Sequence, residues 1–170
     1  MKTKNLVVIA LFVAIGGVLH LVVPSGGMKP DFSLLMLFFG ILLFRERKSV
    51  LLLALGTGIV AGLTSNFPGG GLFPNIIDKF FTAFLFYGLV RLSRRQTSLV
   101  VNAILTAFGT LCSGIIFLLS AHFLIGLPAP FVVLFLQAVL PAMAVNTIAT
   151  VVFYPIVAKI AVRSNLIEAV

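Results

Sequence analysis

Four polar side chains, Asn75, Asp78, Lys79 and Thr82, interrupt an apolar stretch at positions i, i+3, i+4 and i+7. That spacing lines one face of a helix. The stretch follows a turn rich in glycine and proline, Phe67 to Pro74, and the rest of its surface is Phe, Ile, Ala and Leu. An Asp or Lys near the middle of a membrane-spanning helix costs roughly 2.5–3.5 kcal/mol, and less near a helix end, where long side chains reach toward water. Such a pair has two uses. It neutralises itself and holds helices together, or it forms a polar socket for a ligand of complementary charge.

Further polar groups accompany this face: Lys29, Asp31, Asn66, His122 and Gln137. A lysine and an aspartate with amides and many phenylalanines suit a zwitterionic ligand with an aromatic body. The ammonium meets a carboxylate, the aspartate an amino group, and an Asn or Gln a ring donor. Phe67, Phe73, Phe80, Phe81 and Phe84 are the candidate walls. Asn146 reads either as a helix–helix hydrogen bond or as the floor of the site. His122 reads as an interfacial residue.

Catalytic chemistry finds little support. Ser113-Gly114 approaches the G-x-S-G pattern of intramembrane serine proteases, but Leu111 stands where the first glycine belongs. There is no H-E-x-x-H, no metal-binding acidic cluster, and only two histidines, His20 and His122. The three glycines 69–71 lack the following Lys-Ser/Thr of a phosphate loop. The single cysteine, Cys112, lies in an apolar run. The expectation is a chain that is no enzyme and carries neither metal nor cofactor.

The elements that must position these groups are helices in a membrane. The 170 residues are 61% hydrophobic and 9% charged, against about 25% charged in soluble domains. Mean hydropathy is +1.24. Six spans are expected in one all-α transmembrane unit, 1–170, beginning with a retained helix over 6–23. The others are 31–44 (short, with Asp31 as N-cap and room to be tilted or shielded), 49–66, 75–91, 99–121 and a long one from 131. The last is expected to kink at Pro141 and to be interrupted at Pro155. The formal charge of +8 sits at helix ends and argues for orientation, not for nucleic acid. Lys2, Lys4, Arg45, Arg47, Lys48, Arg91, Arg94, Arg95, Lys159 and Arg163 share one side, which places both termini in the cytoplasm. The turns after helices 1, 3 and 5 then face outside. Gly58 and Gly62, four apart, are expected to form a packing seam, and Ala10, Ala14 and Gly17 a small-residue face on helix 1.

Across essentially its whole length the chain resembles the substrate-binding S components of energy-coupling-factor transporters, specifically the tryptophan type of Bacillus-like bacteria. The resemblance is carried by Met1-Lys-Thr-Lys, by Ala10-Leu-Phe-Val-Ala14-Ile-Gly-Gly, by Gly27-Met-Lys-Pro-Asp31 and by Pro74-Asn-Ile-Ile-Asp-Lys79. It implies a multi-pass protein of the bacterial plasma membrane that binds L-tryptophan near the outer face. It also implies docking on a transmembrane T component joined to two cytoplasmic ATPases, which hydrolyse the ATP, and toppling in the bilayer to release the ligand inside. Ala10 and Ala14, extended by Gly17, match the family's docking face. The turn after helix 1, with Met28, Lys29 and Asp31, would cap the ligand. The candidate ligand residues are Lys29, Asp31, Asn75, Asp78, Lys79, Gln137, Asn146, Phe73 and Phe80. The alternatives are an S component for another aromatic or vitamin-like ligand, or a solitary ion-coupled amino-acid carrier. Because Asp78 and Lys79 are placed at a helix head, replacing either is expected to weaken binding without loss of the fold.

Overall fold

The computed structural model describes residues 3–22, 31–93 and 98–166. The described residues form helices joined by turns: α1 (Thr3–Val22), α2 (Phe32–Leu43), α3 (Arg47–Leu63), α4 (Leu72–Leu92), α5 (Leu99–Leu124) and α6 (Phe131–Arg163). Helices α1, α4, α5 and α6 are long and apolar enough to cross a bilayer. The fold is therefore the expected all-helical membrane bundle of six helices.

Helix α2 is the hub. Its 12 residues, Phe-Ser-Leu-Leu-Met-Leu-Phe-Phe-Gly-Ile-Leu-Leu, are apolar on almost every side, and a helix of that kind belongs inside a bundle. It packs against all five other helices, and Leu37, Phe38, Phe39 and Ile41 are fully buried. At 1.5 Å per residue it spans only about 18 Å of a hydrocarbon core roughly 30 Å thick. Shielding by its neighbours resolves the shortness seen in the sequence. It also leaves space beyond the N-terminal end of α2. Asp31 caps that end, its carboxylate accepting the Leu34 N–H at 3.1 Å and the Ser33 hydroxyl at 2.5 Å.

Two glycines bring α4 against α3. A Cβ on Gly58 would stand 3.0 Å from the Ile76 Cα and 3.4 Å from the Lys79 Cβ, and one on Gly62 would stand 2.7 Å from the Leu72 Cα. The expected seam is thus a packing device, and it sets the height of Asp78 and Lys79.

The last helix departs from expectation. Pro155 does not interrupt it: the segment Leu140–Arg163 is continuous with Pro155 inside. A lost donor is tolerated in a membrane helix whose neighbours hold it in place. Pro141 has the larger effect. Residues Phe135–Val139 form a π turn, in which the Leu140 N–H donates to the Phe135 carbonyl. Proline has no N–H to offer Gln137, four residues back, and its ring crowds that carbonyl, so the helix widens by one residue.

The Lys4 ammonium donates to the Ser164 carbonyl, bringing the start of α1 to the end of α6. Lys2, Arg94 and Arg95 lie outside the described residues, as do Met28 and Lys29 of the expected cap.

Candidate ligand site

A cavity of about 440 Å³ opens beyond the N-terminus of α2, within the roughly 300–1,000 Å³ typical of small-molecule sites. Of the sequence-predicted ligand residues, Asp31, Asn75, Asp78, Lys79 and Gln137 line it. They come from α2, α4 and α6, so three separate segments converge.

Its floor is a three-charge cluster. The Lys79 ammonium sits 2.5 Å from an oxygen of Asp31 and 2.5 Å from an oxygen of Asp78. Asp78 also accepts from the Thr82 hydroxyl at 2.9 Å and from the Ser113 hydroxyl of α5 at 2.9 Å. The i to i+4 relation of Asp78 and Thr82 read from the sequence is thus a hydrogen bond. Asp78 and Lys79 are each 1% exposed, whereas the Asp31 side chain is 21% exposed. Because α4 begins at Leu72, Lys79 lies in its second turn and not at its head. Lys79 binds α2 to α4, so the expectation that its loss leaves the fold untouched is revised.

Counting acceptors sharpens the chemistry. A carboxylate offers about four lone-pair sites. On Asp31, Ser33, Leu34 and Lys79 occupy three, and on Asp78, Thr82, Ser113 and Lys79 do the same. Each keeps one, but only Asp31 is open to the cavity to any extent. Two carboxylates share one ammonium, so the formal charges of Asp31, Asp78 and Lys79 sum to one negative.

The remaining lining is largely apolar: Leu34, Phe67, Phe117, Leu118, Leu134 and Val139 among others. Phe67 and Phe117 meet edge to face, their ring centroids 5.2 Å apart. Phe67 was expected, Phe117 was not. His20 of α1 also lines the cavity, its Nδ1 being 2.8 Å from the Thr64 hydroxyl. Thr64 donates to the Val60 carbonyl at 2.8 Å, which makes the His20 Nδ1–H the donor in that contact. Asn75 is pinned by donating to the Gly71 carbonyl at 2.8 Å.

Three expected residues fall elsewhere. Phe73 is 68% exposed on the outside of α4, and Phe80 packs with Phe81 and Phe84. Neither lines the cavity, because Asp78 and Lys79 take the inward face of α4 and turn these rings away. Asn146 lies beneath the site, fully buried, donating to Thr110 at 3.3 Å. It is the helix–helix hydrogen bond, not the floor itself. Below it Thr150 donates to Thr106 at 3.2 Å, so a polar seam joins α5 to α6. His122 is exposed, packs edge-on against Phe123 and does not line the cavity. Among the described residues, no group of three or more His, Cys, Asp or Glu could hold a metal.

On helix α1, Ala10 and Ala14 are exposed. Gly17 is instead buried against Val60 of α3, so the small-residue face divides into an outward pair and an inward packing position.

Comparison with known proteins places this architecture. The family model described as "Tryptophan transporter TrpP" matches residues 2–163. A "Probable tryptophan transport protein" of Bacillus subtilis (strain 168) is 50% identical over 171 residues, covering 99% of each chain. A protein of the same description from Clostridium perfringens (strain 13 / Type A) is 42% identical over 178 residues, 98% of this chain and 97% of its own. No solved structure shows significant similarity.

Proposed function

The chain belongs to the tryptophan transporter family, and from that premise we propose that it captures L-tryptophan in the cavity beyond α2 as the S component of an energy-coupling-factor importer. It is a multi-pass protein of the bacterial plasma membrane. The observation that carries the proposal is the cluster of Asp31, Lys79 and Asp78 beneath an aromatic and aliphatic chamber. A net negative, partly buried floor attracts an α-ammonium, and Asp31 offers it the accessible lone pair. Lys79 has donated two of its three N–H groups, leaving one for a ligand carboxylate. Lys29 remains a second candidate for that carboxylate from its charge and position. The indole then lies against Phe67, Phe117, Leu118 and Leu134.

With both termini cytoplasmic, as the basic residues indicate, the cavity faces outside. Ala10 and Ala14 supply an outward small-residue face for the T component. The chain has no nucleotide-binding motif, so ATP is hydrolysed by the partner ATPases and no cofactor resides here.

Two measurements test this. Calorimetric titration of the purified protein is expected to give saturable one-to-one binding of L-tryptophan and none of L-phenylalanine or a vitamin panel. Heat from a vitamin alone would discard the ligand. Tryptophan uptake in a host is expected to require the T component and ATPases. Uptake that persists without them and collapses with the ion gradient would replace the S-component assignment with a solitary ion-coupled carrier.

A further inference from the structure

We propose that the side-chain carbonyl of Gln137, carried to the cavity by the π turn ahead of Pro141, accepts the indole N–H of the bound ligand and is the residue that distinguishes indole from other fused aromatic rings. The proposal rests on the tryptophan assignment above and extends it to one atom.

The first support is register. Leu134 and Val139 are five residues apart, yet both are buried and both line the cavity. In a regular α-helix a five-residue step turns about 500°, or 140° away from the starting face. The π turn absorbs that excess, so Leu134, Gln137, Ala138, Val139 and Ala142 all line the chamber. Single π turns inside α-helices are frequent at functional sites.

The second support is an inventory of polar partners. Most of the cavity's polar side chains are already engaged with other residues. Asn66 and Gln137 are the lining amides with no side-chain hydrogen bond to any described residue. Both are exposed, but Asn66 sits in the turn after α3, whereas Gln137 is carried on a helix between the buried, cavity-lining residues Leu134 and Val139. The charges of Asp31 and Lys79 hold the zwitterionic end, so the ring projects toward those apolar walls, and a buried indole N–H there needs an acceptor. A site built to bond a ligand N–H also rejects an analogue that lacks it.

The test compares L-tryptophan with its benzothiophene analogue, in which sulfur replaces the N–H, on wild type, Gln137→Met and Asn66→Leu. Wild type is expected to favour tryptophan by on the order of ten-fold or more. Gln137→Met is expected to bind both compounds alike through weakened tryptophan binding, while retained binding of the analogue reports an intact fold. Gln137→Ala serves as a second variant should the methionine form aggregate. A preserved preference in the Gln137 variants, or its loss only in Asn66→Leu, overturns the assignment while leaving tryptophan as ligand. No binding of tryptophan to wild type overturns the parent assignment, and this one with it.

Discussion

The Asp31 carboxylate and the Lys79 ammonium meet at 2.5 Å, joining the N-cap of α2 to the second turn of α4. Asp78, the chain neighbour of Lys79, holds the same ammonium at 2.5 Å. The short central helix is thus fastened along its length by packing and at its cavity end by charge. Any ligand reaching the floor meets a cluster that also maintains the bundle.

Removing the shared cation should therefore be costly. Lys79→Met leaves the buried Asp78 and the partly exposed Asp31 without their counter-charge, which by analogy with broken buried pairs lowers stability by about 3–5 kcal/mol. Thermal unfolding in detergent checks this. Adding Asp78→Asn to the same chain should recover much of the loss, since it removes one of the stranded charges. A Lys79→Met protein that melts with wild type would show that the cluster does not hold α2 to α4.

The surplus negative charge predicts which end of the ligand is selected. Tryptamine keeps the ammonium and indole-3-propionate keeps the carboxylate. Tryptamine should compete with tryptophan at least about ten-fold better, the scale of one charge-assisted hydrogen bond. Asp31→Asn should erase that preference. Equal competition by the two compounds would mean that the floor does not read charge as inferred.

Why some of this was visible in the sequence and some was not follows from range. The i, i+3, i+4, i+7 face of α4, the N-cap at Asp31 and the glycine seam are local patterns with a fixed helical period, and all three appear in the structure. That Asp31 would reach Lys79 across 48 positions depends on the shortness and central burial of α2, which no local period encodes. Ser113 was dismissed with a catalytic motif, although Asn102, Thr106, Thr110 and Ser113 repeat on one buried face of α5. That stripe was the available signal for its bond to Asp78. Phe73 and Phe80 were misplaced because aromatic residues face lipid as readily as ligand. Pro141 announced a kink, but nothing in the sequence distinguished a kink from the widened turn that carries Gln137.

The glycine seam allows the height of the cluster to be perturbed without touching a charge. Gly62→Ala would set a Cβ 2.7 Å from the Leu72 Cα, a backbone atom that cannot rotate aside. The expected cost is about 1–3 kcal/mol of overpacking, with weaker tryptophan binding as the first turns of α4 shift. Parallel melting and titration check both effects. Unchanged affinity at a lowered melting temperature would separate the seam from the site.

The divided face of α1 gives the sharpest separation between folding, binding and transport. Ala10 and Ala14 are exposed, so Ala10→Leu with Ala14→Leu adds apolar surface where the bundle has no neighbour. Stability and tryptophan affinity should stay within about 0.5 kcal/mol of wild type, as for substitutions away from packed features. Uptake should be abolished if this pair is the surface on which the T component closes, because larger side chains hold two helices apart. Gly17→Leu makes the opposite prediction. Its side chain would collide with Val60 on α3, so stability should fall before transport is even assayed. Melting, titration and uptake measured on all three proteins distinguish the two cases. Normal uptake by the protein carrying Ala10→Leu and Ala14→Leu would remove Ala10 and Ala14 from the docking surface and leave the proposed ligand site untouched.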